Sequence, residues 1–200
     1  SREARYLVEW VAHYSLLGFS RFYIFEHNNP QDAEMLEVKR ILEATGLVSF
    51  YNAEKTGVSD DIQMDNFNRG LDFARADGIE WLFACDLDEY LVFRKHASVQ
   101  SLLFILPDRV DQVVFSWKVY GSNGEKTFDP SRVHFEKFTR CGVDANANHR
   151  TGKAMVRVER CAKMDLHFHP VEGITLDGDM GIFDRAGRYV QDRPKYDIGF

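Results

Sequence analysis

Trp81-Leu82-Phe83-Ala84-Cys85-Asp86-Leu87-Asp88-Glu89-Tyr90-Leu91 is the stretch that decides the fold. An apolar run that ends this abruptly in acids reads as a buried strand. It delivers Asp86 and Asp88 at its carboxyl end, where open α/β sheets bind their ligands. Side chains at i and i+2 of an extended segment point the same way, so Asp86 and Asp88 can share one divalent cation, or a cation plus a phosphate. Glu89 then faces the other way or starts the next turn. An acidic turn after a strand is often only solvated; the apolar Tyr90-Leu91-Val92-Phe93 on its far side is what favours a metal site here.

Upstream, Tyr6, Leu7, Trp10, Val11, Tyr14 and Leu17 recur at helical spacing and predict an amphipathic helix over 4–17, ended by Gly18. Phe22–Phe25 reads as a short aromatic strand and 26–30 as a loop. A helix runs from an Asp32 N-cap to Ala44, Leu47–Tyr51 is a second strand, and 61–76 is a third helix leading into the strand at Trp81. This alternation predicts a mostly parallel, Rossmann-like sheet flanked by helices on both faces. Downstream the pattern turns irregular: a short helix near Val99–Leu106, a strand over Gln112–Trp117, a Gly/Asn/Ser-rich loop at 121–132, and strands near Lys153–Val158 and Asp165–His169. The reading is one domain over 1–200, with a nucleotide-binding half at about 1–92 and a second-ligand half at about 93–200.

Composition narrows the class. Hydrophobic residues at 44% and 16 Phe exclude a disordered chain and allow a sizeable core. A net charge of −6 disfavours non-specific nucleic-acid binding, so a phosphorylated ligand must be held locally by a metal or a few placed cations. Cys85, Cys141 and Cys161 are widely spaced and odd in number, which reads as buried thiols in a reducing compartment. No stretch approaches a membrane span and no signal peptide is visible. The opening Ser1-Arg2-Glu3 and the closing Asp197-Ile198-Gly199-Phe200 read as a piece of a longer protein, so a targeting or membrane element can lie outside the window.

Further residues bear chemistry. His167 and His169 stand two apart, so on a strand they share a face, either as metal ligands or as partly buried imidazoles held by backbone. With Asp86 and Asp88 they form an oxygen and nitrogen set that suits Mn²⁺ better than a structural zinc. Lys153 and Arg157 share a strand face and can neutralise diphosphate oxygens or be solvated. Trp117 and Tyr120 before Gly121-Ser122-Asn123-Gly124 combine flat aromatic surface with a polar loop, as a sugar site does; a core Trp before a surface turn is the alternative. There is no P-loop, no G-x-G-x-x-G after a strand, no G-x-S-x-G elbow and no Cys–His nucleophile signature.

Taken in order, these motifs resemble those of GT-A-fold glycosyltransferases, the family 2-like and family 92 group. Glu3–Tyr14 with Leu17-Gly18 is similar to the group's N-E-x-x-Y-L-x-E-W-x-x-[HY]-x-x-x-G opening, and Phe22–Asn29 to its next strand and loop. Asn68-Arg69-Gly70 resembles the segment before the metal motif, and Asp86–Glu89 the D-x-D itself. Trp117–Gly124 is similar to W-x-x-F-G-[ST]-x-G, and Lys153 with His167 and His169 to the closing K…H region. Arg2 stands where Asn is usual and Glu26-His27 replace Asp-Asn, while the family's first strand lies upstream of Ser1.

The resemblance implies a GT-A-type (nucleotide-diphospho-sugar transferase) fold and transfer of a sugar, from a UDP-sugar or another nucleoside-diphosphate donor, to a glycan acceptor hydroxyl. It implies Mn²⁺ or Mg²⁺ on Asp86, Asp88 and His167 or His169. Donor contacts fall to Glu3, Glu26 and Asn28 near base and ribose, and to Asn68, Asp86 and Lys153 near the phosphates. Acceptor contacts fall to Trp117, Gly121 and Ser122. Family 92 members invert the anomeric centre, which needs one carboxylate base; Glu89 is the candidate, with sugar binding as its alternative and Glu136, Asp144 and Glu172 as other acids. The expected setting is the bacterial cytoplasm, at the inner face of a membrane in peripheral association if at all, with no nucleic-acid partner. A nucleotidyltransferase, or a non-catalytic carbohydrate- or metal-binding module, is the rival reading.

Overall fold

The computed structural model describes residues 3–27, 33–57, 61–127, 132–143, 152–177, 181–183 and 189–191. Helix α1 (Glu3–Leu16) buries Ala4, Leu7, Val11 and Tyr14, one stripe at three- and four-residue spacing. It stops before Gly18, whose φ of +94° is left-handed backbone that favours glycine. Strand β1 (Phe22–Glu26), helix α2 (Ala33–Ala44), strand β2 (Val48–Asn52), helix α3 (Ile62–Ala76) and the three-residue strand β3 (Trp81–Phe83) come next. The Asp61 carboxylate caps α3 by accepting the Gln63 N–H at 2.7 Å, an interaction worth about 1 kcal/mol. The expected N-cap Asp32 lies outside the described residues.

The second half holds α4 (Val99–Leu103), β4 (Val110–Ser116), α5 (His134–Lys137), β5 (Gly152–Arg157), a 3₁₀ turn at Val158–Arg160, β6 (Ile174–Asp177), β7 (Gly181–Phe183) and β8 (Tyr189–Gln191). Two sheets result. β1 and β2 pair in parallel, and β3-β5-β4-β6-β7-β8 form the second sheet. Within that second sheet only β4 and β6 are parallel. The architecture is therefore mixed α/β, with helices alongside parallel and mixed sheets, rather than one mostly parallel sheet. β5 enters between β3 and β4 and opposes both. Antiparallel neighbours of this kind need no helical crossover of the sort that joins parallel strands.

The strand expected at Asp165–His169 does not form. Residues 162–170 make a loop closed by the Cys161–Val171 bridge, and Pro170 lacks the N–H that a ladder needs. His167 is half-buried and His169 buried, so the expected shared strand face is absent. The thiols also differ from expectation: Cys161 is buried, but Cys141 is exposed.

Two features of the sheets shape the surroundings of Lys153 and of a nearby cavity. An added Cβ at Gly152 would meet the Phe115 carbonyl oxygen at 2.0 Å, so only glycine lets β5 lie this close to β4 as it feeds Lys153 inward. The edge of β1 away from β2 and the edge of β3 away from β5 pair with no strand among the described residues. Both line one cavity of about 730 Å³. Among the described residues no helix is long and apolar enough to cross a membrane.

Candidate active site

Strand β3 gives out at Phe83, and the chain turns at once: the Glu89 N–H donates to the Asp86 carbonyl at 3.1 Å, while the Glu89 carboxylate accepts the Asp86 N–H at 2.9 Å. This reciprocal pair folds Asp86-Leu87-Asp88-Glu89 into a tight acidic turn. Asp88 is exposed at its tip, and the Asp86 side chain is 42% exposed beside the cavity.

A buried cation faces this turn. In register, Lys153 lies on β5 just past the end of β3, and its side chain is only 5% exposed. Its Nζ sits 3.1 Å from Asp86 Oδ2, 4.0 Å from Glu89 Oε2 and 3.4 Å from the Leu166 carbonyl, between the rings of Phe67 and Trp117. The other oxygen of Asp86 accepts from the Gln63 side-chain amide, seated in the first turn of α3 by the Asp61 cap. Burial pushes the Glu89 carboxyl up to about 7, against the lowering effect of the Asp86 N–H and of Lys153.

The aromatic and imidazole groups close the far side. Trp117 meets His167 edge-on with centroids 5.3 Å apart, and the buried Trp117 Nε1 has no hydrogen-bond partner. His167 Nδ1 lies 3.0 Å from the Gly152 carbonyl, which requires the proton on Nδ1 and leaves a lone pair on Nε2. His169 is reversed: its Nδ1 accepts the Asp165 N–H at 2.9 Å, so the neutral ring carries its proton on the buried Nε2. Burial holds His169 down to about 4, keeping it neutral. Gly121 and Ser122 are exposed on the loop after Trp117.

Other sequence candidates fall at varied distances from this cluster. Glu26 lines the same cavity as Asp86 and is ion-paired with Lys39. The Asn68 amide is occupied by main chain, accepting from Met164 N–H at 2.8 Å and donating to the Met164 and Met64 carbonyls. Asn68 therefore acts on the site by anchoring the segment that leads to His167. Arg157 is corrected: it sits at the opposite end of β5, over Trp81 and against Glu80 at 2.7 Å, too far along the strand to join Lys153 on a diphosphate. Glu136 and Glu172 are exposed. Asn28, Asp144 and the Glu3 side chain lie outside the described residues. Gln63 was not singled out from the sequence, because nothing local distinguishes a glutamine at a helix start.

The donor set limits how a cation would be held. Among the described residues no three His, Cys, Asp or Glu side chains converge on one point, so no closed cage exists. Two carboxylates on one turn, one open to the cavity, suit a hard divalent ion that completes its shell with phosphate oxygens of a ligand.

The mixed α/β architecture is compatible with a glycosyltransferase fold. The family model for glycosyltransferase family 92 matches residues 1–172, and the chain belongs to that family; it is a glycosyltransferase. Comparison with curated proteins and with solved structures gave no match.

Proposed function

We infer that this GT-A-type enzyme moves a sugar from a nucleoside diphosphate donor, a UDP-sugar, to a hydroxyl of a glycan, inverting the anomeric centre. Asp86 and Asp88 would hold Mn²⁺ or Mg²⁺ for that reaction. One observation carries the reading: Asp86 lines an open cavity and is met from inside the protein by the buried Lys153, with Glu89 beside them, and this pairing of both signs of charge supports a diphosphate and its cation at the turn.

When bound, the cation supplies charge neutralisation for the departing diphosphate. Lys153 donates to phosphate oxygens, and Gln63 orients Asp86. The main-chain contact of His167 is made by Nδ1 and that of His169 fixes its proton on a buried Nε2, which favours His167 over His169 as a nitrogen ligand. In the single displacement, the acceptor oxygen bonds to the anomeric carbon as the bond to the diphosphate oxygen breaks, and the acceptor proton passes to a carboxylate. Glu89 is the half-buried acid next to the motif and takes that role. Trp117 with Gly121 and Ser122 borders the acceptor.

Thermal-shift measurement with UDP, GDP and CMP, each with and without Mn²⁺, tests this. UDP should stabilise the protein only with metal, and Asp88→Ala should abolish that gain. An equal response to UDP in EDTA, or an undiminished response in Asp88→Ala, refutes the metal–diphosphate site.

A further inference from the structure

The acidic turn and the residues after it have almost no secondary structure of their own. Between Asp86 and Leu91 the Asp86–Glu89 contact is the one internal main-chain hydrogen bond recorded among the described residues, yet much of this segment is half-buried. Main-chain groups taken out of water need partners. Helix α1 supplies them. Trp10 Nε1 donates to the Asp86 carbonyl at 3.2 Å, and the Tyr14 hydroxyl donates to the Glu89 carbonyl at 3.2 Å. That hydroxyl also accepts the Leu91 N–H at 3.1 Å, and His13 Nε2 lies 2.7 Å from the Leu91 carbonyl.

A phenol has one proton to give and two lone pairs to fill. Tyr14 gives its proton to Glu89 and receives from Leu91 and from the Cys85 thiol at 3.5 Å, so every valence is spent on one short stretch of chain. The ring is 2% exposed and packed against Trp10 at 4.6 Å and His13 at 5.2 Å. Positions 10, 13 and 14 share a helix face. Apolar side chains of similar size would bury that face equally well, but none could hold carbonyls at three successive points of the loop.

We propose that Trp10, His13 and Tyr14 are positioning residues: they fix the main chain of Asp86–Leu91 so that the acids stand in their working arrangement before any ligand arrives. What the acids then bind rests on the function proposed above; the clamp itself does not. Holding a site in place beforehand removes an ordering cost from ligand binding.

The test compares Tyr14→Phe with Leu42→Ala, a change in the same apolar core that removes none of these hydrogen bonds. Two readouts are taken well below both melting temperatures: amide hydrogen exchange across 86–91, and Mn²⁺·UDP affinity by electron paramagnetic resonance of Mn²⁺. Tyr14→Phe should speed exchange at 86–91 and weaken Mn²⁺·UDP, each by about tenfold, as loss of a buried hydrogen-bond hub implies. Leu42→Ala should lower the melting temperature and leave both readouts unchanged. Unchanged exchange in Tyr14→Phe, or equal loss of affinity in both variants, overturns the proposal. Faster exchange in Tyr14→Phe, with no Mn²⁺·UDP binding by the unaltered protein, supports the clamp and removes the donor reading instead.

Discussion

Lys153→Met removes the cation paired with Asp86, while keeping an unbranched stem between Phe67 and Trp117. At the 3.1 Å separation, Coulomb's law with an effective dielectric of about 20 gives an attraction of about 5 kcal/mol. Solvent reaches Asp86, whose side chain is 42% exposed, and ion pairs repay part of that figure as desolvation, so about 2 to 3 kcal/mol of net stability is a fair expectation. For a chain of this size that lowers the melting temperature in EDTA by about 4 to 12 °C. The same removal works in favour of an added cation, because Mn²⁺ no longer competes with an ammonium for the carboxylate. A competing charge worth about 2 kcal/mol corresponds to about thirtyfold tighter binding of Mn²⁺ alone. Differential scanning fluorimetry in EDTA, then Mn²⁺ titration, reads both effects from one sample. If Lys153→Met melts where the unaltered protein does, and its Mn²⁺ response superimposes, the ammonium is not the counter-ion of the acidic turn and the reasoning fails.

Two further outcomes are expected from the charges. Glu89→Gln should cut kcat by about 10² to 10⁴ while the Mn²⁺-dependent UDP shift persists; a kcat within about threefold would remove Glu89 as the proton acceptor. In the same Glu89→Gln variant, which lacks the raised carboxyl that would add stability as pH falls below about 7, stability should fall on acidification in EDTA. His169 is buried with a folded value of about 4, so between about pH 6.5 and 4 the unfolded chain takes up a proton that the folded one refuses. Its contribution is complete above the ordinary imidazole value and is lost as pH falls, to a limit of about 3 kcal/mol. His13, held low by burial, adds in the same direction. A flat melting temperature of Glu89→Gln over that interval would contradict the burial of His169.

The first half was readable because its signals are local. The spacing of Leu7, Val11 and Tyr14 marks α1, Asp61 marks the start of α3, and the apolar run at Trp81 marks β3 with the acids at its end. What escaped depends on residues far apart in the chain. Nothing near Lys153 shows that β5 runs antiparallel to β3 and slides the ammonium under Asp86, since that contact spans 67 positions of sequence. Trp10, His13 and Tyr14 read as a packing stripe, because an aromatic that fills space and one that also grips carbonyls are spelled alike. The pair His167 and His169 matched the two-residue period of a strand, yet Pro170 and the grip of Asn68 on Met164 bend the segment into a loop and point the two rings differently. Strands β6 to β8 are only three or four residues long, too short for any alternation to register.

The facing margins of β1 and β3 leave main-chain donors and acceptors along one side of each ribbon without a ladder neighbour among the described residues. Such rims are adhesive, since an extended peptide laid alongside satisfies them at once.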